Sequence, residues 1–294
     1  MTALVELARA KINLSLHVGP VKPNGRHNLV SFVTFADDAA ADRLEAEPAS
    51  SFSLAVTGPF AGDAGPARDN LVLKAARAMN AALANTAPPL AFRLSKQLPC
   101  AAGIGGGSAD AAAALRLIAR AHGGERAIHI AREVAPTLGG DVLACLTGLP
   151  GLMSGEGETY EPCLSIPVLP CVLVNPGVAC PTGPVFQKYD EFQSTMRPHP
   201  TPPTRQTGAQ AFMHLLQSET ENSLELPATD LVPTIAETLA RLRQDETARL
   251  VRMTGSGATC FALFDDFAEA EAAARALRRD VPGWWIAVTM LGAS

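Results

Sequence analysis

Leu98-Pro99-Cys100-Ala101-Ala102-Gly103-Ile104-Gly105-Gly106-Gly107-Ser108-Ala109-Asp110 puts four glycines into five positions directly before an alanine-rich run that reads as a helix. Glycines so concentrated are costly to order. They suit a backbone that takes positive φ and that lets a ligand touch main-chain N–H groups without interference from side chains. A loop of this kind emptying into a helix N-terminus offers unpaired donors and the positive end of the helix dipole, a receptor for a di- or triphosphate. Ser108 at the junction is placed to cap the helix or to contact phosphate. The spacing is neither G-x-x-x-x-G-K-[ST] nor G-x-G-x-x-G, and no H-R-D or D-F-G element occurs, so a Walker NTPase, a dinucleotide-binding unit and a protein kinase are disfavoured. The alternative is a flexible loop that serves only to start the helix.

Outward from that loop, Ser108–Ala121 reads as the helix, followed by shorter helical stretches at Arg126–Leu138 and Asp141–Thr147 separated by Gly139-Gly140. On the N-terminal side, Ile12, Leu14, Leu16 and Val18 alternate with Lys11, Asn13, Ser15 and His17, the period of a strand buried on one face. The turn residues of Lys22–Gly25 lead to a second strand at Asn28–Ala36. Phe52–Thr57 and Leu90–Leu94 read as strands flanking a helix over Leu71–Ala84 with its cap at Asp69-Asn70. Farther on, Cys171–Asn175 reads as a strand, Gln187–Gly208 with four prolines as a long surface loop, and Thr229–Arg243 as one amphipathic helix. Strands at Leu250–Met253 and Thr259–Phe264 flank Gly255-Ser256-Gly257, and a helix at Glu269–Leu277 precedes a last strand at Trp284–Met290. The order of elements is that of an α+β protein.

The 294 residues suffice for two domains. Hydrophobic residues make up 47% and charged residues 18%, with a net charge of −5, which disfavours disorder and a nucleic-acid-coating surface. A polyanion must therefore be held locally. The six cysteines are spread without a C-x-x-C pair, so neither a zinc knuckle nor a disulfide framework is indicated. No apolar run approaches the roughly 20 residues of a membrane span, and Glu6, Arg9 and Lys11 interrupt the start, so a soluble cytoplasmic protein without a membrane partner is expected.

Leu138-Gly139-Gly140-Asp141-Val142 sets a carboxylate at the start of an apolar segment, where it is either an N-cap or a reactive group. Lys11 is either the wet face of an edge strand or a partner for that carboxylate. Combined with a phosphate loop the two make a phosphoryl-transfer set: a carboxylate to take or orient a hydroxyl proton, and an ammonium to keep it ionised. His27 beside a turn is otherwise a surface histidine, Phe186 otherwise a core residue, and Gly255-Ser256-Gly257 otherwise a hairpin turn.

Six ordered blocks between about Ala8 and Phe264 resemble the GHMP kinases. They are Ala10-Lys11-Ile12-Asn13-Leu14, Asn24-Gly25-Arg26-His27-Asn28-Leu29, Gly103–Asp110, Leu138–Val142, Asn175-Pro176-Gly177-Val178 with Pro181-Thr182 and Phe186, and Thr254-Gly255-Ser256-Gly257-Ala258. The resemblance implies a two-domain α+β fold, with a ribosomal-protein-S5-domain-2-like domain over residues 1–160, a ferredoxin-like domain over 161–294, and ATP and substrate in a cleft between them. It implies ATP with Mg²⁺, and phosphorylation of the 2-hydroxyl of a cytidine-diphosphate-linked methylerythritol on the non-mevalonate route to isoprenoid precursors. The alternatives are a GHMP kinase acting on homoserine, mevalonate or a sugar, or a non-catalytic nucleotide-binding protein. By the same resemblance Asp141 is the base and Lys11 its electrostatic partner. Pro99, Ala101, Gly103, Ile104, Gly105, Gly106, Gly107 and Ser108 cradle the ATP phosphates, Asn13 and Thr182 position the polyol, and His27 and Phe186 recognise cytosine. The implied partner is a small molecule, bound by a monomer or homodimer; no resident metal site is implied. Arg26 stands where the family has tyrosine, Ala101 where it has glycine, Ala109 where it has serine and Gly140 where it has alanine. A guanidinium can still stack on a base.

Overall fold

Alternation of apolar residues produces the first strands of the chain: β1 (Leu4–Arg9), β2 (Lys11–Asn13), β3 (His17–Val21), β4 (His27–Phe35) and β5 (Ala41–Pro48). Next come β6 (Ser53–Thr57), α1 (Leu71–Ala82), β7 (Leu90–Ser95), α2 (Gly106–His122), α3 (Glu125–Leu138) and α4 (Gly140–Thr147). Strands β8 (Gly151–Gly155), β9 (Thr159–Pro162) and β10 (Leu169–Asn175) lead to α5 (Thr182–Glu191), α6 (Ala209–Glu219), α7 (Glu225–Leu231) and α8 (Pro233–Leu242). The chain continues through β11 (Leu250–Met253), β12 (Cys260–Leu263), α9 (Phe267–Asp280) and β13 (Trp285–Leu291). This computed structural model describes residues 4–163, 166–192 and 208–292.

Two compact units result, one of Met1–Ala10, Ala40–Cys100 and Gly105–Gly148, the other of Lys11–Ala39, Ala101–Ile104 and Leu149–Ser294. The first holds a sheet of order β1-β5-β7-β6 in which only β6 and β7 run parallel, as the intervening α1 requires. Asn70 starts α1, its side chain accepting from Val72 N at 2.9 Å. Helix α2 packs against α1, α3, α4 and β1. Its alanines answer that crowding: Ala111, Ala112, Ala113 and Ala114 are fully buried, and side chains this small let neighbouring elements approach on every side. Arg116 on α2 ties the layers together, bonding Glu6 at 2.7 Å and the Cys145 carbonyl of α4 at 2.9 Å.

The second unit has two sheets. One has the order β2-β4-β8-β9 with β3 also on β4, and the other has the order β11-β12-β10-β13. With α8 between β10 and β11 and α9 between β12 and β13, the latter is the split β-α-β layout of a ferredoxin-like domain. Its core gathers Val172, Val174, Ile235, Leu239, Phe264 and Leu277. Among the described residues no helix is long and apolar enough to cross a membrane.

Four expectations change. The strand over Ile12–Val18 is interrupted: β2 stops at Asn13 and β3 begins at His17, and both faces are buried, because Lys11, Asn13, Ser15 and His17 all find polar partners inside. The helix over Thr229–Arg243 is two helices, since Pro233 has no N–H to continue α7 and instead opens α8. The loop over Gln187–Gly208 begins later than expected, because α5 runs to Glu191; residues 193–207 lie outside the described part. Ser108 is not a cap, since α2 starts at Gly106.

Candidate active site

The glycine loop is shaped by backbone pressing on backbone. Ala102 O accepts from Thr259 N at 3.2 Å and Ile104 O from Lys11 N at 2.8 Å. Gly103 has φ +77°, and a Cβ there would stand 2.6 Å from the Thr254 carbonyl oxygen, so no other residue fits. Gly255 approaches it from the opposite turn with φ +58°, and a Cβ on it would meet Gly103 O at 2.6 Å. The glycines of the two turns thus need each other. Ala101 takes φ 49°, a left-handed conformation rare for a residue with a side chain, and is exposed.

In the first unit the same loop becomes α2. Gly105, left-handed at φ 63°, is the N-cap and supplies no side-chain bond; the first helical bond runs from Ala109 N to Gly105 O at 2.8 Å. The N–H groups of Gly106, Gly107 and Ser108 consequently have no carbonyl within the helix, and they lie at the positive end of a 17-residue dipole. Pro99 is buried just ahead of this turn, while Gly107 is exposed and Ser108 half-buried. Such a turn can receive an anion.

Asp141 is the second residue of α4, half-buried, with Gly139 as the cap. The cap reading of this aspartate therefore fails. Its carboxylate instead sits in the first turn, where the helix dipole favours negative charge. Lys11 is only 4% exposed, which also removes its reading as the wet face of an edge strand. Its Nζ donates to Asn13 Oδ1 at 2.7 Å, Asn13 Nδ2 donates to Ser31 Oγ at 2.7 Å, and Ser31 Oγ donates to the Ser15 carbonyl at 2.5 Å. With Asn13 N also bonded to Thr254 Oγ1 at 2.9 Å, the amide is held in one orientation.

A cleft of about 450 Å³ opens in the second unit beside Arg26, His27, Glu156, Phe186, Gln187 and Asp190. His27 and Phe186 lie with ring centroids 5.0 Å apart and planes inclined by 33°. The imidazole is held by Nδ1 against the Gly19 carbonyl at 2.9 Å, by Asp190 at 3.6 Å from Nε2, and by the edge of Tyr189 at 5.8 Å. Glu156 gathers the turn before His27, accepting from Lys22 at 2.6 Å, Asn24 at 2.9 Å and Arg26 at 3.1 Å. These bonds, Lys22 foremost, hold its carboxyl down at about 2. Thr182, the first residue of α5, shares a hydrogen bond of 2.8 Å with Ser256 Oγ, and Phe186 and Asp190 follow on the same helix face at i+4 and i+8.

Residues 70–149 match the GHMP kinases N terminal domain and residues 204–283 the GHMP kinases C terminal. A 4-diphosphocytidyl-2-C-methyl-D-erythritol kinase from Hyphomonas neptunium is 49% identical over 290 residues, covering 98% of this chain and 96% of that one. The chain belongs to the 4-diphosphocytidyl-2-C-methyl-D-erythritol kinase family of GHMP kinases. A relative of the same name from Methylobacterium radiotolerans is 47% identical, over 99% of this chain and all of its own length. Among solved structures, a 4-(cytidine 5'-diphospho)-2C-methyl-D-erythritol kinase superposes with a TM-score of 0.77 at 31% identity, covering 99% of this chain and 100% of that one. A homoserine kinase from Cytophaga hutchinsonii shares the fold, with a TM-score of 0.68 at 15% identity over 99% and 94% of the two chains.

Within this GHMP kinase the structure brings together Lys11 with Asn13, and His27 with Phe186, as well as Thr182 with Ser256. Sequence reading missed Ser31, Glu156 and Asp190. Asp190 had a signal: it lies eight residues after Thr182, two helical turns along a helix that the prolines and glycine around it disguise. Glu156 had none, being 130 positions from Arg26.

Proposed function

We propose that this kinase transfers the γ-phosphoryl group of ATP to the 2-hydroxyl of 4-diphosphocytidyl-2-C-methyl-D-erythritol, a step on the non-mevalonate route to isoprenoid precursors. The observation that carries the reading is the paired His27 and Phe186 in the cleft of the second unit, in a chain whose near-full-length relatives bear that enzyme's name. A flat ring recognised by an aromatic face and a fixed imidazole suits a pyrimidine.

ATP enters as its magnesium complex. Magnesium in such a complex would be held chiefly by the phosphate oxygens and water. The free N–H groups at Gly106, Gly107 and Ser108 receive the phosphates, with Pro99, Ala101, Gly103, Ile104 and Gly105 shaping the bend before them. Donors fixed in place before the reaction lower the barrier without reorganising. Asp141 takes the proton from the attacking hydroxyl, and Lys11, held through Asn13, offsets negative charge on the transferring group. Asn13 and Thr182 position the polyol, and Arg26, steered by Glu156, offers a guanidinium plane to the base. In this division of labour residues 1–160 supply the nucleotide loop and the catalytic pair, and residues 161–294 supply Thr182 and Phe186.

ADP release tests the assignment, with magnesium ATP and one acceptor at a time: 4-diphosphocytidyl-2-C-methyl-D-erythritol, mevalonate or homoserine. Turnover of the cytidine compound alone is expected. Turnover of another acceptor with the cytidine compound inert would overturn the reading.

A further inference from the structure

The first unit contains a group of buried charges outside the set assigned above. Lys96, after β7, and Asp110, on α2, are each 2% exposed, and Asp42, on β5, is fully buried. Lys96 Nζ donates to Asp42 Oδ2 and, at 2.7 Å, to Asp110 Oδ2. Asp42 Oδ1 accepts from the main-chain N–H of Leu98 at 2.9 Å and from that of Gln97. One ammonium thus faces two carboxylates, leaving a unit of negative charge in excess when all three are ionised. A buried charge without compensation is expensive. Asp110 Oδ1, moreover, has no hydrogen-bond partner among the described residues. A proton on Asp110 resolves the imbalance.

Position in the chain gives the cluster its consequence. Asp42 grips the two residues that lead into the glycine loop, and Asp110 is the fifth residue of the helix that leaves it. A Cβ on Gly106 would stand 3.2 Å from Lys96 Nζ and 3.8 Å from Asp42 Oδ2, so the cluster lies directly under the first turn of α2.

We propose that Asp42, Lys96 and Asp110 are positioning residues for the phosphate-binding turn, and that a proton exchanging on Asp110 sets the net charge beneath it. The proposal rests on the reading of that turn as the receptor for the ATP phosphates. Protonated, the cluster is neutral and leaves the helix dipole unopposed; deprotonated, it adds a negative charge behind the donors and weakens their hold on a polyanion. Burial raises the Asp110 carboxyl to about 7, with Lys96 opposing and Asp42 adding to the rise. Burial works against the charge on Lys96, but Asp110 and Asp42 outweigh it and raise its pKa above the ordinary lysine value. Cys100, farther along the same connection, has its thiol pushed up by burial and feels Lys96, Asp63, Asp42 and Asp110.

The test is the affinity of the whole chain for a magnesium-bound, non-hydrolysable ATP analogue, by calorimetry, in the wild type and in Asp110→Asn. The amide keeps the shape and the bond to Lys96 but carries no titrating proton. From about pH 6 to about pH 8.5 the wild type should weaken about threefold to fivefold relative to the variant, the two binding alike at the acid end. A ratio constant across that range would overturn the charge-setting role, because a purely structural cluster would shift affinity equally at every pH. Should the variant not fold, ¹³C carboxyl resonances of aspartate-labelled wild type decide: an aspartate titrating near neutrality supports the proposal, and none doing so overturns it. Wild type that binds no analogue at any pH would remove the phosphate reading itself, a result distinct from either.

Discussion

Phe186 faces His27 across 5.0 Å, and the same imidazole is fixed from behind by the Gly19 carbonyl at 2.9 Å. With Nδ1 donating to that carbonyl, Nε2 is the nitrogen left toward Asp190 and the cleft. An aromatic face and an oriented ring nitrogen are therefore offered to the same space. Replacing Phe186 by alanine removes the face and leaves the nitrogen. The KM for the cytidine substrate should rise about tenfold, the usual cost of one lost base–aromatic stack, with kcat changed less than about threefold. Steady-state kinetics at saturating ATP check this, and an unchanged KM would move the base elsewhere.

Asp141→Asn keeps the volume at the second position of α4 and removes the proton acceptor. Turnover should fall by about 10²–10⁴ while the KM for ATP stays within about twofold, the signature of a general base. Near-normal kcat would take the aspartate out of the chemistry.

Gly103→Ala would place a methyl 2.6 Å from the Thr254 carbonyl oxygen at a φ of +77°. Backbone cannot give way as a flexible side chain can. A loss of at least about 2 kcal/mol is expected in urea unfolding, together with weaker ATP binding. Stability equal to wild type would mean that the two glycine turns do not press on each other.

Asp110 yields a pH dependence of stability. In the folded chain its proton leaves near 7, against 3.8 for an ordinary aspartate. Between those values the folded state holds a proton that the unfolded state has released, so this contribution is fully present below about pH 4 and is lost as pH rises through about 7. The melting temperature of the wild type, relative to Asp110→Asn, should fall across that window and level off above it. A difference that grows with pH would contradict the assignment.

Much of the fold was legible where one local rule governed. The alanine and leucine run of α2 could hardly be anything but a helix, and the turn at Lys22–Gly25 is closed by Gly25 N bonding Lys22 O at 2.9 Å. Where two rules competed, the reading slipped. The apolar period runs unbroken across Pro233, so α7 and α8 merged; Pro181, Gly183 and Pro184 spoke of a turn while opening α5. In the site, glycine chemistry pointed to the phosphate loop directly. Lys11 and Asp141 took on roles only in combination with that loop and then through the resemblance, since a lysine on an alternating strand and an aspartate at a helix start each have an ordinary explanation. The cluster of Asp42, Lys96 and Asp110 escaped altogether because its members come from three elements, with Asp42 and Lys96 54 positions apart.

Transfer of one phosphoryl group to a tertiary alcohol is tested most directly by proton-coupled ³¹P NMR of the reaction mixture. Carbon 2 of the methylerythritol bears no hydrogen, so a phosphomonoester formed there gives a line unsplit by any carbinol proton, appearing in step with ADP. A doublet or triplet in its place, from a secondary or primary alcohol, or ADP released with only inorganic phosphate, would contradict the account.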